Sequence, residues 1–168
     1  MSNSSSASNG VNLRRVLSED AEADEFCQMV NEHVAHAYPL NPKDLADSRS
    51  RFFWVRQDNR VVGSTGYTLR TPTLCEVRKT MILPSYRRRG LCIKACDQLE
   101  ELCVREGVRK SRVTVFADNR EMLCLRLAIG YVIEGFHPDH EAPGYHEYSL
   151  GKLLVPADEL TPGPGVRV

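Results

Sequence analysis

Three consecutive arginines and a glycine, Arg87-Arg88-Arg89-Gly90, follow an apolar run that ends at Met81-Ile82-Leu83-Pro84. After them Cys92, Ala95, Cys96, Leu99, Leu102 and Cys103 recur at helical spacing, with Lys94, Asp97, Glu101 and Arg105 on the opposite face and Gly107 as a stop. A strand that runs into a helix start presents unpaired backbone N–H groups and the positive end of the helix dipole. That is a seat for a phosphate or pyrophosphate. Gly90 removes a side chain where a phosphate must approach the backbone, and the arginines add charge and forked donors. The alternative is a solvated arginine turn with no ligand. The segment contains no G-K-[ST] and no G-x-G-x-x-G, so it is neither a P-loop nor a dinucleotide fingerprint.

The rest of the composition narrows the class. A chain of 168 residues is about one domain with room for a core. Lys and Arg total 22 and Asp and Glu total 22, so the net charge is zero and a global attraction to nucleic acid or an anionic membrane is not expected. No apolar run reaches the length of a membrane span. Residues 1–10 are polar, lack the pattern of a secretory signal and are expected as a disordered lead-in. The six cysteines include no C-x-x-C pair, which argues against zinc and for reduced, core-packed thiols in a cytoplasmic protein. On this reading Cys124 belongs to the core. The pairs His33-x-x-His36 and His137-x-x-His140 lack a third ligand, so no metal is expected and loop histidines are the better reading.

Elements alternate along the chain. Residues 11–17 read as a strand, Ser18 as the N-cap of a helix running to about His36, and 42–49 as a short helical piece. Strands follow at 51–57, 60–70 and 74–83, the first two joined by the hairpin signal Asp58-Asn59. A helix at 87–106, a strand at 110–116, a helix at 120–128 capped by Asp118 or Asn119, and strands at 131–136 and 145–154 complete a domain of residues 11–155. The Pro- and Gly-rich residues 156–168 form a tail. The order predicts an α/β fold with a mixed sheet and helices on both faces.

Two segments carry a family resemblance. Arg87-x-x-Gly90-x-Cys92, within Leu-Pro-Ser-Tyr-Arg-Arg-Arg-Gly-Leu, resembles the Q/R-x-x-G-x-G/A signature of the GNAT (Gcn5-related N-acetyltransferase) superfamily, with Cys92 in place of Gly or Ala. Asn119-Arg-Glu-Met-Leu-Cys-Leu-Arg-Leu-Ala-Ile-Gly130-Tyr131 is similar to that family's N-x-x-A-x-x-L-Y-x-x-x-G-F/Y segment. The resemblance implies the GNAT fold, a mixed, mostly antiparallel sheet with a splayed V between strands 4 and 5. It also implies an acetyl-CoA-dependent N-acetyltransferase that passes the acetyl group directly to a primary amine of a small molecule or peptide. A non-catalytic acyl-CoA-binding domain is the alternative, and a phosphate-binding protein unrelated to coenzyme A a third. Partners would be acetyl-CoA and the amine, with no nucleic acid or membrane, in a monomer or homodimer.

By the same resemblance, Arg87, Arg88, Arg89, Gly90, Leu91, Cys92, Ile93 and Lys94 would hold the pyrophosphate. Met81, Ile82 and Leu83 would pair with the pantetheine arm, whose amides mimic a strand, and Asn119 would contact that arm. The family's usual acid, a tyrosine, falls at Arg126, which cannot give up a proton at neutral pH but could stabilise a thiolate or a phosphate by charge; otherwise it lies on the helix surface. Tyr145 and Tyr148 are then the alternative acids. An amine with a pKa near that of lysine must lose a proton before it attacks. Glu76 is the candidate base, eleven residues before Arg87 on the same strand, unless it is a strand-edge charge paired with Arg78 or Lys79. The loops at 37–50 and 137–146, with His137, Asp139, His140, Glu141 and His146, are the expected acceptor site.

Overall fold

The computed structural model describes residues 10–34, 39–140 and 142–156. The expected lead-in, the end of the first helix with His36, Glu141 and the tail beyond Pro156 lie outside the described residues. Seven strands form one sheet in the order β1-β2-β3-β4-β5-β7-β6. They are β1 (Val11–Val16), β2 (Ser50–Gln57), β3 (Arg60–Thr71), β4 (Leu74–Ile82), β5 (Lys110–Phe116), β6 (Val132–His137) and β7 (Glu147–Leu153). The helices are α1 (Ala23–His33), α2 (Pro42–Leu45), α3 (Leu91–Arg105) and α4 (Arg120–Ala128).

The period-2 pattern of β2 decides which helix packs where. Phe52 and Trp54 face α1 and α2, in a cluster with Val16, Phe26, Val30 and Leu45. Phe26 meets the Trp54 ring edge-on at 4.8 Å. Phe53 and Val55 point the other way, Phe53 into the cluster with Leu99 and Cys103 of α3 and Val55 into the one with Leu91 and Ala95. Helices therefore cover both faces, as the alternating pattern predicts.

All strand pairs are antiparallel except β4 with β5. That parallel pair is brief: Leu74, Cys75 and Glu76 register with Lys110, Ser111 and Arg112, and pairing then stops although β4 continues to Ile82 and β5 to Phe116. The strands diverge into a V. β4 is bent on its other edge too, where the register with β3 slips between Ser64 and Gly66 and Lys79 adopts φ 56°. This is a bulge, which kinks and twists the strand that carries it. Ser64 Oγ donates to the Lys79 carbonyl at 2.7 Å, and Thr65 Oγ1 lies 2.9 Å from Thr80 Oγ1, so β3 hydroxyls fasten the bulge.

Three local expectations are corrected. Ser18 does not cap α1; its hydroxyl bonds Glu19, and the helix begins at Ala23 behind Glu22. The third helix starts at Leu91 rather than at residue 87, because Pro84–Tyr86 form a short 3₁₀ turn and Arg87 is extended. Cys124 is exposed rather than in the core: the buried residue of α4 is Arg126, and Leu127 is 46% exposed.

Candidate active site

A cleft of about 1050 Å³ opens where β4 and β5 part. Its walls are Glu76 to Ile82 of β4, Val113 to Phe116 of β5, the start of α3 and the inner face of α4. At one end lies the arginine turn. Gly90 caps α3 with φ 70°, and Arg88 before it has φ 61°. Lys94 is the first residue of α3 to bond back, to the Gly90 carbonyl at 3.2 Å. The N–H groups ahead of it form the open end of the helix. A Cβ on Gly90 would meet nothing within 4 Å, so the space above the turn is open.

The arginines are not equivalent. Arg87 folds back and donates from Nε to the Ile82 carbonyl at 2.9 Å. Arg89 donates to the Ser85 carbonyl at 3.1 Å, lies over the Tyr86 ring at 5.5 Å and is not part of the cleft wall. Arg87 and Arg88 line the cleft with Gly90, Leu91, Cys92 and Ile93. Lys94 is on the exposed side of α3.

Along β4, Met81 and Ile82 line the cleft, while the Leu83 N–H continues the sheet by donating to the Val62 carbonyl at 2.8 Å. Across the gap, Asn119 lines the cleft and caps α4, its Oδ1 accepting from the Met122 N–H at 3.2 Å. Arg126 is 1% exposed, so it does not lie on the helix surface. It lines the cleft, donates to Thr80 Oγ1 at 3.2 Å, lies 3.4 Å from Cys96 Sγ and sits over the Tyr131 ring at 5.2 Å. Burial works against its charge, and Cys96, Tyr131, Cys92 and Glu100 outweigh that and keep it protonated. A hydrogen bond from Cys92 lowers the Cys96 thiol toward neutrality against burial, and Arg126 lowers it further.

At the other end stand the ionisable groups that could face an acceptor. Glu76 lines the cleft and is ion-paired, but with Arg70 of β3 rather than with Arg78 or Lys79. Tyr145 is half exposed, meets the Phe116 ring at 5.9 Å and is not part of the cleft wall. Tyr148 packs on Phe136 at 5.0 Å, also away from the wall. His140 does line the cleft, with its Nε2 4.0 Å from Glu147 Oε2. Glu147 is a residue that sequence reasoning missed: a carboxylate 2% exposed, opposite Phe116 and beside His137 in the sheet. Its place follows from β7 inserting between β5 and β6, and no local signal announces that.

The fold and cleft match a known class. The family model described as acetyltransferase (GNAT) family matches residues 15–125. The chain belongs to the GNAT acetyltransferase family. No curated protein matches it in sequence. Among solved structures it is similar to the ribosomal-protein-S18-alanine N-acetyltransferase of Escherichia coli, at 16% identity and TM-score 0.69 over 94% of this chain and 99% of that one. The spermidine/spermine N-acetyltransferase SpeG of Vibrio cholerae aligns at 15% identity and TM-score 0.71, over 86% and 93%. The yncA protein of Salmonella typhimurium, solved with its cofactor acetyl-CoA, aligns at 15% and 0.70, over 88% and 95%. At these identities the likeness is one of fold.

Proposed function

We propose that this chain transfers an acetyl group from acetyl-CoA directly to a primary amine of a small molecule or peptide. The observation that carries the reading is the parting of β4 from β5 beside a helix start with no side-chain cap, which leaves one cleft joining an anion seat to a set of acids and bases. The residues present fit the co-substrate. The open N–H groups ahead of Lys94, the charge of Arg87 and Arg88 and the bare Gly90 suit a pyrophosphate. The β4 edge that β5 abandons, at Met81 and Ile82, suits an arm with peptide-like amides.

Acetyl-CoA supplies an acetyl carbon whose bond to sulfur breaks as its bond to the amine nitrogen forms. The chain's own part is to hold, orient and move protons. Beyond Glu76, where β5 no longer pairs with β4, a strand N–H can polarise a carbonyl as an oxyanion hole does. Glu76 takes the proton of the attacking amine, with Arg70 fixing its carboxylate. Asn119 stands against the arm from the α4 side.

The experiment is thiol release from acetyl-CoA across a panel of amines and peptide N-termini. Release that depends on an amine supports the reading. Binding of acetyl-CoA with no release across the panel assigns the cleft to acyl-CoA binding alone, and no binding overturns both.

A further inference from the structure

Arg126 is a cation removed almost wholly from water that still forms part of the cleft wall. Its side chain reaches from α4 across the splay to Cys96 of α3 and Thr80 of β4. Thr80 offers a neutral hydroxyl, and Cys96 a thiol whose proton the guanidinium loosens. Glu100, a carboxylate whose charge acts on it, is itself bound to Lys152 at 2.6 Å. Among the described residues Arg126 makes no ion pair, and its buried Nε has no acceptor. A guanidinium has five donors, and a buried charge left without a counter-charge costs several kcal/mol. Among the described residues no carboxylate fills the place of its counter-ion.

Position along β4 says which anion. The phosphate seat lies beyond the end of the strand at Ile82, while Thr80, which Arg126 grips, lies inside it next to the bulge. An arm that leaves the seat and pairs along Ile82 and Met81 brings its far end, not its phosphates, to Arg126.

We infer that Arg126 is the counter-cation for the sulfur of the acyl carrier, holding it as a thiolate when the acyl group departs. This rests on the reading that the cleft takes acetyl-CoA. In the step, the carbon–sulfur bond breaks with its electron pair going to sulfur, the carbon–nitrogen bond forms, and the amine proton leaves through the base. No proton goes to sulfur within the site, since an arginine has none to give at neutral pH. The groups facing Arg126 agree. Cys92, Cys96 and Glu100 stand on α3, Tyr131 follows α4 and Thr80 is on β4, with Lys79 next to it in sequence on the cleft wall. Burial keeps Tyr131 protonated, Lys152 is taken by Glu100, and Cys96 partners the guanidinium until the ligand arrives.

The test uses free CoA and its desulfo analogue with the full chain. Thiolate absorbance of the CoA complex, taken against the desulfo-CoA complex, is followed with pH. The bound thiol is expected to titrate at least one unit below the ordinary thiol value of about 8.5. The affinity ratio of CoA to desulfo-CoA then rises about tenfold per unit of that shift as pH climbs through it. Arg126→Met abolishes the shift and Arg126→Lys keeps most of it, while desulfo-CoA binds all three proteins alike. A bound thiol at or above the free value, or a shift unchanged in Arg126→Met, overturns the inference. Should Arg126→Met not fold, a ratio flat with pH in the unaltered protein overturns it. CoA that binds without a thiol shift removes only the role of Arg126, whereas CoA that fails to bind removes the acetyl-CoA reading as well.

Discussion

Glu76 and Glu147 are carboxylates on the same cleft, held in different ways. Glu76 is partly exposed and clamped by Arg70, and Glu147 is enclosed beside His140. The clamp engages a single oxygen, since Arg70 Nε and Nη2 both meet Glu76 Oε2, and leaves Oε1 outside it. A general base of this type contributes about 10²- to 10⁴-fold. Glu76→Gln is expected to lower amine-dependent thiol release by about 100-fold near neutral pH. The deficit should shrink at high pH, where the amine loses its proton unaided. Rates measured across pH decide the point: a deficit that stays constant would take Glu76 out of the role and leave Glu147 as the carboxylate to substitute next. The place of Glu76 on the cleft was legible in the sequence because it lies on the strand that feeds the arginine turn, and its part as base was drawn from the family resemblance. Glu147 was not, because its burial depends on a strand order that no neighbouring residue encodes.

The elements that build the cleft carry strain where it opens. Arg88 adopts φ 61°, a left-handed conformation that disfavours any residue with a Cβ by roughly 1 kcal/mol relative to glycine. Arg88→Gly should therefore raise the stability of the protein without ligand by about 0.5–1 kcal/mol while weakening CoA binding through loss of the charge. Denaturant midpoints and calorimetric affinities on one preparation check both signs, and a parallel rise or fall of the two would refute the trade. On the opposite side of β4, a Cβ at Gly63 would stand 2.1 Å from the Met81 carbonyl. Gly63→Ala must push β3 from β4 just beyond the bulge. A loss of more than about 2 kcal/mol is expected, in the range of core overpacking, together with lost CoA affinity; a neutral result would show that the bulge is not set by β3. Turns and stops were readable because their signals are local: Asp58 and Asn59 take the positive φ that a tight hairpin needs, Gly107 has φ 87°, and Asn119 caps α4. The bulge was not readable, since Lys79 is an ordinary strand residue whose left-handed φ is imposed by Ser64 and Thr65 across the ladder.

For the molecule as a whole, the V leaves the two halves of the sheet joined by three registered residue pairs, so the cluster under α3, which draws on both halves, must hold them together, while a second cluster packs α1 and α2 on the β1–β2 half alone. One of these clusters carries an ionisable group that reports on its integrity. Cys27 of α1 is 4% exposed among Phe26, Val30 and Trp54, and burial, then Asp44 and Asp24, push its thiol from 9.0 to about 11. A thiol with a raised folded pKa binds its proton more tightly in the folded state than in the unfolded one. Its contribution is therefore complete below the unfolded value and is lost as pH rises from about 9 through 11. Two units at 1.36 kcal/mol each put the largest loss at about 3 kcal/mol. Tyr67 and Tyr131, also raised by burial, act in the same direction at higher pH. Urea unfolding at successive pH values should show a midpoint that is flat to about pH 8 and then falls. Cys27→Val, similar in size and without a proton to lose, should fall less steeply over the same interval. Because the tyrosines are common to both proteins, the difference between the two curves isolates Cys27, and curves that run parallel would mean that water reaches this thiol and that the α1 face of the sheet is looser than its packing indicates.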